Sequence, residues 1–192
     1  MRAKTNGGRV RVWDPLVRLV HWSLVAGVAA NAFLTEEGES WHQWIGYGVV
    51  ALIGVRILWG FVGPWPARWT SFWPTPRRLR AALSPARAAA ASGAAAPPFP
   101  GITHTPPGAV MMLTLLALLL GLGATGYMME ETDRFWGVGW VEEAHELMSD
   151  AILVLVPLHV LGSLWESRKR RDNLIAGMVH GDRRLPETPG SR

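Results

Sequence analysis

The stretch from Val141 to Trp165 constrains this chain more than any other, because it is a long apolar segment that contains two histidines. His145 and His159 are fourteen residues apart. In an α-helix that spacing corresponds to about 21 Å along the axis. It also brings the two side chains back to within roughly 40° of one direction. A single helix would therefore present one imidazole near each side of a bilayer, both on the same face.

Three further apolar blocks are long enough to cross a membrane as helices. The four predicted spans are residues 16–34, 41–61, 108–129 and 144–165. Asp14 followed by Pro15 predicts a helix start with Asp14 as the N-cap. The run GLGATG in the third span contains only small side chains apart from one leucine, and should let a bulky group approach. The predicted fold class is all-α, an integral membrane four-helix bundle.

The segments outside the spans are polar and unevenly charged. They are an N-terminal segment 1–15, a loop 62–107 and a tail 166–192, and all three are basic. The loop includes an Ala- and Pro-rich stretch, 84–100, which we expect to be flexible. The two short connections are acidic instead, and residues 35–41 contain three glutamates and no basic residue. Because Lys and Arg are enriched on the cytoplasmic side, both termini and the long loop are predicted to be cytoplasmic.

This topology places four histidines at two depths. The first span runs outward, so His21 lies near the cytoplasmic side, and His42 lies at the outer start of the second span. The fourth span runs inward, with His145 at its outer end and His159 near the cytoplasmic side. The predicted pairs are His42 with His145 on the outer side, and His21 with His159 on the inner side.

Paired imidazoles at two depths favour one kind of ligand. A single histidine in a span has an ordinary explanation, such as a hydrogen bond to a neighbouring helix. Zinc needs three or four ligands around one ion, and a proton relay would use acidic residues as well, which lie only near the outer end. Imidazoles facing each other across a bundle suit a planar macrocycle that is ligated from both faces. We therefore predict two non-covalent haems b, with the outer and inner histidine pairs as iron ligands.

Arg56 is the one charged residue in the apolar part of the second span. A charge at that position is costly and usually functional. It follows His42 by fourteen residues, so it lies on nearly the same face at the inner depth. Arg56 is a candidate to neutralise a haem propionate, and the alternative is that its side chain extends to the inner interface. His104, just before the third span, is expected at that interface, near a haem carboxylate.

Composition excludes several other classes of protein. The chain has 192 residues and no cysteine, which excludes disulfides, iron–sulfur clusters and covalent haem attachment through Cys-x-x-Cys-His. The net charge is +4, but a nucleic-acid partner would need a basic folded face. The apolar blocks leave no room for one, so no nucleic-acid partner is expected.

Several runs occur in the order typical of one family, namely VRVWDPLVRLVHW, WHQWIGY, VRILWGFVGP, THTPPGA, HELMSDAILVLVPLHV and RDNLIAGM. From about residue 9 to 180 the chain resembles the bacterial cytochrome b561 family, which includes the b-type cytochrome subunits of nickel–iron hydrogenases. The resemblance implies a multi-pass protein of the bacterial inner membrane with two b haems, and its ligand positions fall on His21, His42, His145 and His159. It also implies electron exchange between membrane quinone and a redox partner.

Three functions remain open. The first is a dihaem electron conduit between quinone and a partner, either an oxidoreductase subunit or a soluble c-type cytochrome that docks on the acidic outer loops beside Trp136 and Trp140. The second is a stand-alone quinone oxidoreductase acting on a small reductant such as superoxide, for which only Arg134 offers a positive charge on the outer side. The third is a small transporter or assembly factor without haem. The sequence leaves open whether the chain is an enzyme in its own right.

Overall fold

The computed structural model describes residues 5–6, 9–83 and 104–184. The Ala- and Pro-rich stretch that we expected to be flexible lies outside the described residues. The helices are α1 Pro15–Phe33, α2 Ser40–Val62, α3 Trp69–Phe72, α4 Pro76–Leu83, α5 Pro106–Glu131, α6 Gly139–Arg170 and α7 Leu174–His180, with a short 3-10 helix at Trp65–Ala67. The strands are β1 Thr5–Asn6, β2 Arg9–Arg11 and β3 Asp182–Arg184.

Four of these helices, α1, α2, α5 and α6, are long and apolar enough to cross a membrane, which confirms the predicted four-helix membrane fold. The longest of them, α6, has 32 residues and extends beyond the predicted span 144–165 at both ends. The extra turns read GWVEE and ESRKR. Hydropathy detects only the apolar part of a helix, whereas the backbone hydrogen bonds of α6 continue into polar sequence. The helix also continues through Pro157.

The helix starts follow from local chemistry. Asp14 caps α1 as predicted, and its Oδ1 accepts hydrogen bonds from the backbone N–H of Leu16 at 3.0 Å and of Val17 at 3.1 Å. Its other carboxylate oxygen accepts a bond from the indole N–H of Trp59 at 3.1 Å, which ties the start of α1 to the end of α2. At α5, Thr105 is the cap, and two prolines occupy the first turn, where their missing N–H groups are not needed.

The membrane-spanning helices that pack extensively are consecutive along the chain. They are α1 with α2, α2 with α5, and α5 with α6. Glycines of α5 make two of these contacts close. A Cβ added at Gly123 would lie 2.2 Å from Cγ2 of Val50 on α2, and one added at Gly121 would lie 2.3 Å from Sδ of Met148 on α6. The small-residue run that we expected to admit a bulky group therefore serves, at these two glycines, the approach of neighbouring helices.

Both ends of the described chain meet in a terminal cap, which consists of β1, β2, β3 and α7. The strands form an antiparallel sheet in the order β1-β2-β3, and the carbonyl of Gly181 accepts bonds from the N–H groups of Val12 at 2.9 Å and Trp13 at 3.0 Å. Asp172 and Arg183 form an ion pair that is almost fully buried. A small apolar core beneath the sheet comprises Val10, Val12, Trp13, Val17 and Ala67. We had predicted only polar segments here.

Replacing Gly123 with alanine should destabilise the bundle by about 1–3 kcal/mol, because the new methyl group would overlap Val50, which is stiff at χ1. The measurement is the unfolding of the purified protein in mixed micelles with increasing SDS. Gly54→Ala on α2 is the matched control, since no atom lies within 4 Å of its added Cβ. It should leave the stability unchanged or raise it by up to about 1 kcal/mol. Equal effects of the two substitutions would contradict the close contact at Gly123.

Candidate haem-binding site

The structure brings His42 and His145 together although they lie on α2 and α6, which are not consecutive spans. His42 is in the first turn of α2 and His145 is near the start of α6. Their ring centroids are 6.3 Å apart, and the ring planes are inclined by 53°. The two imidazoles therefore lie close together although their helices are separated in sequence by α5.

This separation matches the space that one metal ion needs between two imidazoles. Each imidazole contributes a metal–nitrogen bond of about 2.0–2.1 Å and a distance of roughly 1.1 Å from that nitrogen to the ring centroid. Two imidazoles on opposite sides of the metal therefore have centroids about 6.2–6.4 Å apart. Among the residues that the structure describes, no group of three or more His, Cys, Asp or Glu side chains could hold a metal ion. Two imidazoles alone make an incomplete site for zinc. They make a complete axial pair for a metal whose remaining ligands come from a planar cofactor.

Each of these rings has a threonine hydroxyl at its Nδ1 atom. Thr35 Oγ1 lies 3.2 Å from Nδ1 of His42, and Thr125 Oγ1 lies 2.8 Å from Nδ1 of His145. Thr35 follows the end of α1, whereas Thr125 lies within α5. Hydrogen bonding at Nδ1 leaves the other ring nitrogen, Nε2, available to a metal.

His21 and His159 lie at the other end of the bundle, on α1 and α6. They are close enough to interact electrostatically across the bundle. The ring of His21 packs edge-on against Trp22, with centroids 5.4 Å apart. The backbone carbonyl of His159 accepts a bond from the hydroxyl of Ser163 at 2.9 Å. The structure thus places the predicted inner pair in one region, fourteen residues from the outer pair along α6.

Arg56 is buried, with only 7% of its surface exposed. Its guanidinium lies over the ring of Trp69, 4.7 Å from the centroid, and 6.0 Å from that of Phe72. Gly60 makes this possible, because a Cβ there would lie 2.1 Å from the Trp69 indole nitrogen, which donates to the carbonyl of Ile57 at 3.2 Å. Nη1 of Arg56 is buried and has no hydrogen-bond partner among the described residues. A guanidinium held in this way favours an anionic group beside it.

His104 lies in the same region, just before α5. Its ring packs against Trp13 and Phe72, with centroid distances of 5.0 and 4.6 Å. Burial, and then the positive charge of Arg56, lowers the pKa of His104 to about 3. Its Nδ1 has no hydrogen-bond partner within the part of the chain that is described. The environment of His104 is built by residues far apart in sequence, so hydropathy alone did not reveal it.

Thr35 and Thr125, which contact the outer histidine pair, were not predicted from the sequence. Thr125 is a buried polar residue in an apolar helix, and such residues usually bond to a neighbouring helix. That signal was present in the sequence, although nothing in it named His145 as the partner. Thr35 lies in a polar connection, where a threonine carries no such signal.

The chain was compared with known proteins. A family model described as prokaryotic cytochrome b561 matches residues 12–181. No curated protein and no solved structure matches the chain. The matched region contains the four apolar helices, both histidine pairs and Arg56.

Acid should weaken the fold around His104, which lies outside the membrane-spanning segments. Its pKa in the folded chain, about 3, is below the unfolded value of 6.5, so the unfolded state takes up the proton first as the pH falls. Stability associated with this group is complete above pH 6.5 and decreases below it, by about 2 kcal/mol at pH 5. His104→Phe should remove this contribution to the difference in the free energy of unfolding between pH 7 and pH 5. His180→Phe, at an exposed position in α7, is the control and should retain it.

Proposed function

The chain belongs to the prokaryotic cytochrome b561 family, and from that premise we propose that it carries two b haems through which electrons pass between a membrane quinone and a redox partner. Membership supports a multi-pass membrane protein that binds b-type haem and transfers electrons. The number of haems, their ligands and the exchange partners are the proposal.

The observation that carries the proposal is the 6.3 Å separation of the His42 and His145 rings. Two imidazoles at this distance, on helices that are not consecutive spans, suit one iron between them. We assign these two residues as axial ligands of the outer haem. The threonine contacts at both Nδ1 atoms support the assignment, because they leave Nε2 of each ring available as the ligand atom.

For the inner haem we assign His21 and His159 as axial ligands. They lie near each other on α1 and α6, and fourteen residues of α6 separate His159 from His145, which is about 21 Å of helix. Arg56, buried and with a free N–H group, is assigned to a propionate of the inner haem. The aromatic rings beside it hold the guanidinium in place and exclude water.

A haem iron with both axial positions filled supplies one-electron transfer and offers no open position to oxygen or a small substrate. The protein's own contribution is therefore to hold two cofactors at fixed depths and to shield them from water. This favours an electron carrier. A stand-alone oxidoreductase acting on superoxide would need an outer pocket with positive groups, and Arg134 is the single basic residue in the loop 130–143.

We further propose that the terminal cap and the long loop face the cytoplasm of a bacterium, with the acidic connections on the outer face of the inner membrane. Both ends of the described chain lie at one end of the bundle, as an even number of spans requires. Trp136 and Trp140 are 79% and 57% exposed. Beside the acidic connections they suit a partner with a basic surface, either a c-type cytochrome or an oxidoreductase subunit.

A reduced-minus-oxidised spectrum of the purified full-length protein tests the proposed function directly. The expected result is a b-type spectrum and two haems per chain by pyridine haemochrome assay. A colourless preparation would favour the transporter or assembly-factor alternative and would refute the proposal.

His159→Ala should remove the inner haem and retain the outer one, because the outer pair is about 21 Å away along α6. Haem content should therefore fall from two per chain to one, with one low-spin ferric signal remaining in the EPR spectrum. His180→Ala, which removes an exposed histidine of the terminal cap, should keep both haems. Loss of both haems, or of neither, in His159→Ala would show that the pairing is wrong.

If the acidic connections steer a basic partner, its electron exchange with the protein should slow as salt is added. The double substitution Glu36→Gln with Glu37→Gln removes two exposed charges from the outer connection and should weaken this salt dependence. Glu166→Gln changes charge at the opposite end of α6 and serves as the control. Stopped-flow reduction by a cationic c-type cytochrome is the measurement, and rates that are independent of ionic strength would exclude the proposed docking surface.

A further inference from the structure

We propose that Thr35 and Thr125 are positioning residues that hold His42 and His145 in the tautomer protonated at Nδ1, so that both Nε2 atoms face one iron. The inference rests on the proposed function, since it concerns the ligands of the outer haem. It adds two residues to that site and predicts that the two haems differ in their redox properties. It depends on which atom donates in each hydrogen bond.

At Thr35 the direction of the hydrogen bonds follows from counting protons. A threonine hydroxyl has one proton to donate. The Thr35 hydroxyl donates it to the backbone carbonyl of Asn31, at 3.1 Å. The contact of 3.2 Å between the same oxygen and Nδ1 of His42 can be a hydrogen bond at the same time only with Nδ1 as the donor. This arrangement favours the tautomer of His42 that is protonated at Nδ1 and has its lone pair on Nε2.

The same count applies to Thr125, which lies within α5. Its hydroxyl donates to the backbone carbonyl of Gly121 at 2.9 Å, with the carbonyl of Leu122 at 3.2 Å as a shared acceptor. Both carbonyls can only accept. With the hydroxyl proton on a carbonyl, the contact of 2.8 Å between Thr125 Oγ1 and Nδ1 of His145 is a hydrogen bond only if the histidine donates. Two independent elements thus impose one tautomer on the two rings that face each other.

Each threonine also restrains the orientation of its histidine. Three hydrogen bonds connect His42 with the end of α1. Asn31 Nδ2 donates to the backbone carbonyl of His42 at 3.0 Å. The Thr35 hydroxyl links the carbonyl of Asn31 to the His42 side chain. Around His145 the restraint comes from α5, where Thr125 is 8% exposed and its hydroxyl is anchored to its own helix. These contacts limit rotation of both imidazoles about their Cβ–Cγ bonds.

The inner pair has no equivalent contacts within the described part of the chain. No hydrogen bond to a ring nitrogen of His21 or His159 is present there, and Arg56 adds a positive charge to that region. Donation from Nδ1–H makes an imidazole a stronger electron donor and stabilises the oxidised iron. Thr35 and Thr125 should therefore lower the midpoint potential of the outer haem alone.

The test uses Thr35→Val and Thr125→Val, which keep the shape of the side chain and remove the hydroxyl, in the purified full-length protein. Each should move the midpoint potential of one haem to a more positive value and change the low-spin EPR signal of that haem. The affinity of the protein for that haem should decrease by roughly 10–100-fold. The other haem should be unaffected and reports that the bundle is folded. Thr35→Ser and Thr125→Ser, which retain a hydroxyl, should restore the wild-type values.

Thr114→Val is the matched control, since Thr114 is an exposed threonine of α5 and should leave both potentials unchanged. If a valine variant does not accumulate, Thr35→Ala and Thr125→Ala repeat the test without a branched apolar side chain. Two haems with unchanged potentials and EPR signals in the hydroxyl-free variants would overturn this inference and leave the proposed function intact. Equal shifts of both haems would also overturn it, by indicating a general change in the bundle. A wild-type protein without two haems would refute the proposed function itself.

Discussion

The spacing of two imidazoles across the bundle depends on how closely other helices pack. His42 and His145 lie on α2 and α6, and α5 lies between these helices and contacts both. The glycines of α5 let α2 and α6 approach it closely, one of them opposite Val50 and another opposite Met148. A bulkier α5 would push the two flanking helices apart. The helix that carries no histidine in its apolar part thus contributes to the separation of His42 and His145.

The two ends of the bundle provide different electrostatic surroundings. At the outer end the rings meet neutral hydroxyl groups and lie near acidic connections. At the inner end a buried arginine lies among aromatic rings, close to His104. A positive charge stabilises an added electron, whereas a stronger imidazole donor opposes it. Under the proposed assignment of two haems, the same ligand type would therefore give two different potentials in one chain.

Much of this architecture could be predicted from the sequence, because hydropathy and helical periodicity are local properties. The spans and the N-cap at Asp14 follow from patterns along the chain. The terminal cap could not be predicted, because β2 and β3 are about 170 residues apart and each has only three residues. The burial of His104 depends on the same kind of distant contact. The contact of Thr35 with His42 could not be predicted either, since it depends on the fold of the connection before α2.

The pairing of β2 with β3 has a consequence for biosynthesis. Arg9–Arg11 emerges from the ribosome long before Asp182–Arg184, so the sheet cannot close until nearly all of the described chain has been made. Trp13, which packs against His104, is hydrogen-bonded to Gly181. Until that carbonyl is available, Trp13 lacks the hydrogen bond that fixes its backbone beside His104. The environment of His104 is therefore completed only after almost all of the described chain has been synthesised.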